Sequence, residues 1–134
     1  MTKPDFSGTW QFNKGKSSLE ISPPDSSTFL IGHSGIHFHL LRTHSVSGKR
    51  DMLAVDLTIE GGWKKVDPGG KEFLARLYWE DDTLVFDSAM GQGSDRITNV
   101  VRYTLADDGK TLIAREHLQS EKHGHDNIWV FDKR

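Results

Sequence analysis

No long window of the sequence holds a helical period of 3.6. Thirteen glycines fall mainly between short apolar or alternating runs. A chain punctuated in this way reads as strands separated by turns rather than as amphipathic helices. Runs rich in Val, Ile, Leu, Phe, Thr and Trp give about nine or ten strand candidates, the even spacing of an all-β sandwich or barrel. The clearest hairpin joins a run from Phe73 to Glu80 to one from Thr83 to Ser88 through Asp81-Asp82. A two-residue turn there sets Trp79 opposite Leu84 and Leu77 opposite Phe86 on one face. Tyr78 then meets Val85 and Arg76 meets Asp87 on the other, the pattern of a sheet with one covered side.

Other runs follow the same logic. Ser7 to Phe12 is the first, Leu19 to Ile21 a short second, and Pro23-Pro24-Asp25-Ser26 forces a turn before Thr28 to Ile31. Ile36 to Val46 and Asp51 to Glu60 flank Ser47-Gly48-Lys49-Arg50, where Gly48 suits the first central position of a type II′ turn. That register sets His37 opposite Glu60 and His39 opposite Thr58. Gly91 to Gly93 break the chain before Arg96 to Leu105, and Asp107-Asp108-Gly109-Lys110 turn it into Thr111 to Gln119. The last run, Asn127 to Asp132, is apolar on both faces, with Trp129 and Phe131 on one and Ile128 and Val130 on the other. An open edge of that kind invites aggregation, so pairing it with the first strand and closing the sheet is favoured. The expectation is a single domain over residues 1–134, an antiparallel up-and-down β-barrel of about eight to ten strands.

Composition narrows the partners. Seventeen Lys and Arg against nineteen Asp and Glu leave a formal charge of −2. Nucleic acid and anionic membrane surfaces both call for a basic excess, so neither is expected as a partner. The chain has no cysteine, which removes disulfides, thiolate chemistry and Cys-based zinc sites. No apolar run approaches a membrane span, and the first residues lack the apolar stretch of a secretion signal, so a cytoplasmic location is the expectation.

Asp5-Phe6-Ser7-Gly8-Thr9-Trp10 near the start and Trp129-Val130-Phe131-Asp132-Lys133 near the end carry a resemblance. Gly8-Thr9-Trp10 resembles the Gly-x-Trp opening of the calycins, the superfamily of lipocalins and fatty-acid-binding proteins. The two ends together are similar to small bacterial lipocalin-like proteins, many of which have no assigned function. The resemblance implies that Trp10 plugs one end of a barrel around a small-molecule cavity. Two features depart from the fatty-acid-binding pattern. Pro23-Pro24 stand where a helical lid would lie and cannot belong to two helices. Trp129 and Phe131 stand where an inward Arg-x-Tyr would hold a carboxylate, and neither can make that contact.

Histidine is the unusual residue, with seven in the chain. On a strand His37 and His39 share a face, and two imidazoles so placed can reach one metal ion with a third ligand from another strand; in the expected register Glu60 and Asp56 make a His-His-carboxylate set available. The competing reading follows from alternation. Ile36, Phe38, Leu40, Leu53, Val55, Leu57 and Ile59 form the apolar face, which leaves His37, His39, Thr58 and Glu60 to meet water. His123 and His125 repeat the His-x-His spacing near Glu116, His117 and Asp126, but Gly124 between them points to a solvated hairpin tip.

Arg42 and His44 continue the apolar face toward one mouth of the barrel. There they can grip the polar end of a ligand whose body contacts Phe38, Leu40, Leu57, Leu77, Phe86 and Trp129, or Arg42 can simply pair with an acidic neighbour at the rim. Trp63, after Gly61-Gly62, and Trp79 read as core or rim packing. No serine-hydrolase elbow, phosphate loop or His-Glu-x-x-His helix is present. The leading function is therefore binding of a small apolar or amphipathic molecule in the barrel. Two alternatives stand beside it: a lyase, isomerase or hydrolase that uses cavity histidines as acid-base or as ligands of a divalent metal, and haem binding through a neutral histidine.

Overall fold

In the computed structural model, residues 3–67, 72–91, 96–106 and 109–134 are described. Ten strands follow one another: β1 Gly8–Phe12, β2 Ser26–Ser34, β3 His37–Val46, β4 Lys49–Thr58, β5 Lys64–Val66, β6 Phe73–Glu80, β7 Thr83–Met90, β8 Ile97–Ala106, β9 Thr111–Gln119 and β10 Gly124–Lys133. They form one sheet in the order β4-β3-β2-β1-β10-β9-β8-β7-β6-β5, with every ladder antiparallel. The apolar last strand does pair with the first, Trp10 opposite Lys133 and Phe12 opposite Phe131.

The sheet curls into a nearly closed up-and-down barrel. Its two end strands, β4 and β5, are not joined by a ladder. Ile59 instead bridges Leu77 in parallel, the Glu60 N–H donates to the Leu77 carbonyl at 2.8 Å, and Lys64 Nζ donates to the Asp56 carbonyl at 3.0 Å. Lys49 and Arg50 on β4 and Lys64 and Lys65 on β5 put charge on these strands, which discourages pairing with other chains.

Local chemistry explains where registers agree with the sequence and where they move. The β6–β7 hairpin has the expected register, with Leu77 opposite Phe86 and Trp79 opposite Leu84. Asp81 takes φ 55, a left-handed conformation that aspartate tolerates. Arg76 Nη2 reaches Asp87 Oδ2 at 2.9 Å across the pair. The β3–β4 hairpin turns one step earlier than expected. Ser47 and Gly48 both have positive φ, 50 and 78, so they are the two central residues of a type I′ turn and Val46 pairs with Lys49. His37 therefore faces Thr58, not Glu60, and His39 faces Asp56, not Thr58. The displacement is two residues, so every side chain keeps its face.

Three boundaries differ further. Leu19 to Ile21 is not a strand. Ser18 bridges Ile128, but the Glu20 N–H then donates to the Asn127 side chain at 2.7 Å, and the ladder stops. Leu19 and Ile21 pack partly buried against the core. Ile36 does not start the apolar face, because it sits in the turn after Gly35 and is 57% exposed. β2 runs from Ser26 to Ser34, longer than the apolar run, because β1 and β3 pair along both of its sides. Between β1 and β2, where Pro23-Pro24 argue against a helical lid, only a single 3-10 turn at Lys14–Lys16 occurs. Residues 92, 93, 107 and 108 of two expected turns lie outside the described residues.

One end of the barrel is solid. Trp10 is fully buried and its indole Nε1 donates to the Phe6 carbonyl at 2.9 Å. Phe6 stacks on His33 and Trp79, and Lys133 Nζ lies 5.6 Å from the centre of the Trp10 ring. Phe38, Leu57, Leu77 and Leu84 fill the space above this plug. Toward the other end, where β3 turns into β4 and β9 into β10, the interior opens.

Candidate functional site

The open half encloses a cavity of about 370 Å³. Alternation along the strands decides most of what lines it, while at the mouth consecutive residues of β4 (Asp51, Met52, Leu53) and β7 (Ser88, Ala89, Met90) contribute. β2 contributes Phe29, β3 Leu40, Arg42 and His44, β4 Asp51 and Leu53, β6 Phe73, and β7 Phe86 and Ser88. β8 adds Ile97, Asn99, Val101 and Tyr103, β9 adds Ala114, Glu116 and Leu118, and β10 adds Trp129. Of the residues expected to meet a ligand, Leu40, Arg42, His44, Phe86 and Trp129 are brought together here. Phe38, Leu57 and Leu77 share the inner face but lie in the packed half and are not on the cavity wall.

Arg42 sits at the mouth, where its Nη2 meets Asp51 Oδ2 at 3.2 Å, the rim pairing that the sequence offered as one reading. Its buried Nε has no partner. His44 shares a 2.7 Å hydrogen bond through Nδ1 with the fully buried hydroxyl of Ser27, and its ring stacks on Trp129 at 5.6 Å between centroids. Burial, with the Arg42 charge adding to it, pushes the imidazole down from 6.5 to about 4. His44 is therefore neutral at pH 7. A base so weak is poorly matched to proton transfer at that pH, and the ring serves as a hydrogen-bonding and stacking surface.

Glu116 is the centre of the polar wall. Its Oε1 accepts from Trp129 Nε1 at 2.9 Å and from Asn127 Nδ2 at 3.0 Å, while Oε2 accepts from Asn99 Nδ2 at 2.8 Å. The register accounts for this convergence. Glu116 on β9 lies opposite Asn127 on β10 and Val101 on β8, so Trp129 and Asn99 are its diagonal neighbours on the same face. Asn99 Oδ1 is buried without a partner. Tyr103, four residues beyond Asn99 on β8, is buried, which raises its phenol above the ordinary value, with the Glu116 charge adding to the effect. Among the described residues no hydrogen bond reaches its hydroxyl.

The expectation of cavity residues passed over Glu116, Asn99 and Tyr103. The signal was available in the β9 alternation Leu112, Ala114, Glu116, Leu118, where one carboxylate interrupts an inward apolar row.

The histidine pairs lie elsewhere. His37 and His39 are exposed on the outer face, beside a more open depression that also touches Asp56, Thr58 and Lys64. His39 hydrogen-bonds Asp56 directly across the β3–β4 ladder. Among the described residues, no group of three or more His, Asp or Glu is placed to hold a metal ion. His123 is exposed at the tip joining β9 to β10, where the Ser120 N–H donates to its carbonyl at 2.8 Å, and His125 is half-buried beyond it. His117 is exposed and bonded to Asp126 at 2.7 Å, which raises its imidazole. Trp63 lies outside under the Arg76 guanidinium, 4.6 Å from the ring centre, and Trp79 belongs to the plug. Among the described residues, no helix is long and apolar enough to cross a membrane.

A ten-stranded meander, closed between first and last strands, plugged by a tryptophan after Gly-x-Trp and hollow at the far end, matches solved structures over nearly its whole length. The chain has a calycin-like up-and-down barrel fold. A secretory abundant heat soluble protein from Ramazzottius varieornatus superposes with a TM-score of 0.71 at 13% identity, covering 99% of this chain and 98% of that one. Zebrafish ileal bile acid-binding protein complexed with cholic acid gives 0.65 at 14% identity over 96% and 98%. Schistosoma mansoni fatty acid binding protein in complex with arachidonic acid gives 0.59 at 10% identity over 96% of each chain. No family model matches the sequence, and no curated protein matches it.

Proposed function

We propose that the protein binds a small apolar or amphipathic molecule inside the barrel. The observation that carries this reading is the cavity of about 370 Å³, walled mainly by aromatic and aliphatic side chains and carrying one convergent polar cluster. Small-molecule sites generally have this form, with apolar area supplying affinity and a few placed polar groups fixing orientation. Two proteins of the same fold are described in complex with small amphipathic acids, cholic and arachidonic. Leu40, Phe86 and Trp129, expected from the sequence to meet a ligand body, line this cavity together with Arg42 and His44, which supports the reading.

Titration calorimetry with decan-1-ol tests it. One saturable site per chain is expected. Ser88 lines the cavity from β7, so Ser88→Leu fills part of the space and should weaken binding by about tenfold or more while the fold is retained. Unchanged affinity in that variant would place the ligand outside the barrel.

A further inference from the structure

We propose that the cavity is built for an amphipathic amine, with the ammonium held by Glu116 and the Asn99 side-chain carbonyl. The proposal rests on the binding reading above and deepens it by naming the head group.

The polar cluster is one of unsatisfied acceptors. A carboxylate offers about four lone-pair sites, and Glu116 uses three of them on Trp129, Asn127 and Asn99. All three donors are neutral. Among the described residues no lysine or arginine pairs with Glu116, while the nearby cation, Arg42, is already met by Asp51. Turning its Nδ2 toward Glu116 leaves Asn99 with Oδ1 buried and unpartnered. One acceptor site of Glu116 is therefore left over and the carbonyl of its bonded neighbour Asn99 is orphaned, both on residues that line the cavity. An ammonium, with three donors and no acceptor, satisfies both and neutralises the charge.

A carboxylate head fares worse. It brings further acceptors to a site already short of donors and a second negative charge into a small, mainly apolar space. His44 is neutral there, Trp129 and Phe131 offer no clamp, and the one cation among the described wall residues, Arg42, already has its charge offset by Asp51. The unpartnered Nε of Arg42 is the feature that argues for an anion. A comparison of matched ligands decides between the two.

The experiment is calorimetry of the full chain at neutral pH with decylamine, decan-1-ol and decanoate, which share a chain length and differ in the head. Decylamine is expected to bind about tenfold or more tighter than decanoate, with the alcohol between them. Glu116→Gln should shrink the amine-to-acid ratio to within about threefold and leave the alcohol nearly unchanged. That substitution keeps the cluster bonded, because the Asn99 amide can turn over and offer Oδ1 to the new NH₂ group. Decanoate binding as tightly as decylamine in the unaltered protein overturns the proposal, whether or not the variant folds, and leaves the binding reading intact. A preference for the amine that survives Glu116→Gln also overturns it. If none of the three ligands binds, the barrel-binding reading itself fails.

Discussion

His44 shows how much a residue's position along a strand changes its chemistry. As a lone histidine continuing an apolar face it was a ligand candidate, and the fold does put it on the cavity wall, but stacked on Trp129 and bonded to buried Ser27. Its ordinary value of 6.5 falls to about 4, chiefly through burial. Below pH 6.5 the unfolded chain takes up a proton that the folded chain refuses until about pH 4. The contribution of His44 to stability is therefore complete above 6.5 and is lost as the pH falls through that window. Urea unfolding at pH 7 and pH 4.5 checks this: the midpoint should drop more in the unaltered protein than in His44→Gln, and the His44 ring signal should titrate near pH 4. Equal drops would show that burial does not hold the ring neutral. Arg42 and His44 were legible because they continue an alternation. Glu116 was not singled out, since a carboxylate inside a sheet makes sense only once Trp129, Asn127 and Asn99 are known to converge on it.

Between strands, legibility tracked the turn. Asp81-Asp82 is bounded by clean alternation on both sides, so only one two-residue loop fits and the β6–β7 register follows from the residues. Ser47-Gly48-Lys49-Arg50 admits two such loops. The one that forms puts positive φ on both Ser47 and Gly48, which twists with the strands as a type I′ turn does. Parity is conserved under a two-residue slip, and this is why the outer placement of His37 and His39 was still readable while their partners were not. The geometry also makes a prediction about Ser47. Asparagine tolerates the left-handed region better than serine, and Asn-Gly is the preferred type I′ pair. The Ser47 N–H to Asp25 Oδ2 bond of 2.8 Å involves only the backbone of Ser47 and is untouched by the change. Ser47→Asn is expected to stabilise the fold by about 0.5 kcal/mol, read as a higher urea midpoint with an unchanged slope. A lower midpoint would mean that the serine side chain has a use the turn does not reveal.

At the level of the whole barrel, the inner face divides into a packed half and a hollow half, and no strand-by-strand pattern announces the border. Leu40 and Leu57 are both inward and both apolar, yet one lines the cavity and the other lies in the packed half. The division depends on how far Phe6, Trp10 and their neighbours rise into the interior, which is a property of ten strands together. It has an energetic signature. Leu77 is 1% exposed in the core beside the Ile59 bridge, so Leu77→Ala leaves a void in the packed half. A cost of about 2–5 kcal/mol is expected. Leu53 lines the cavity and already borders open space, so Leu53→Ala only enlarges what is empty and should cost about 1 kcal/mol. For the ligand the order reverses. Leu53→Ala should change decan-1-ol affinity more than Leu77→Ala does, once both are measured well below their melting temperatures. Equal losses of stability at the two positions would mean that the open half is packed in solution, and the cavity that the binding proposal depends on would not exist.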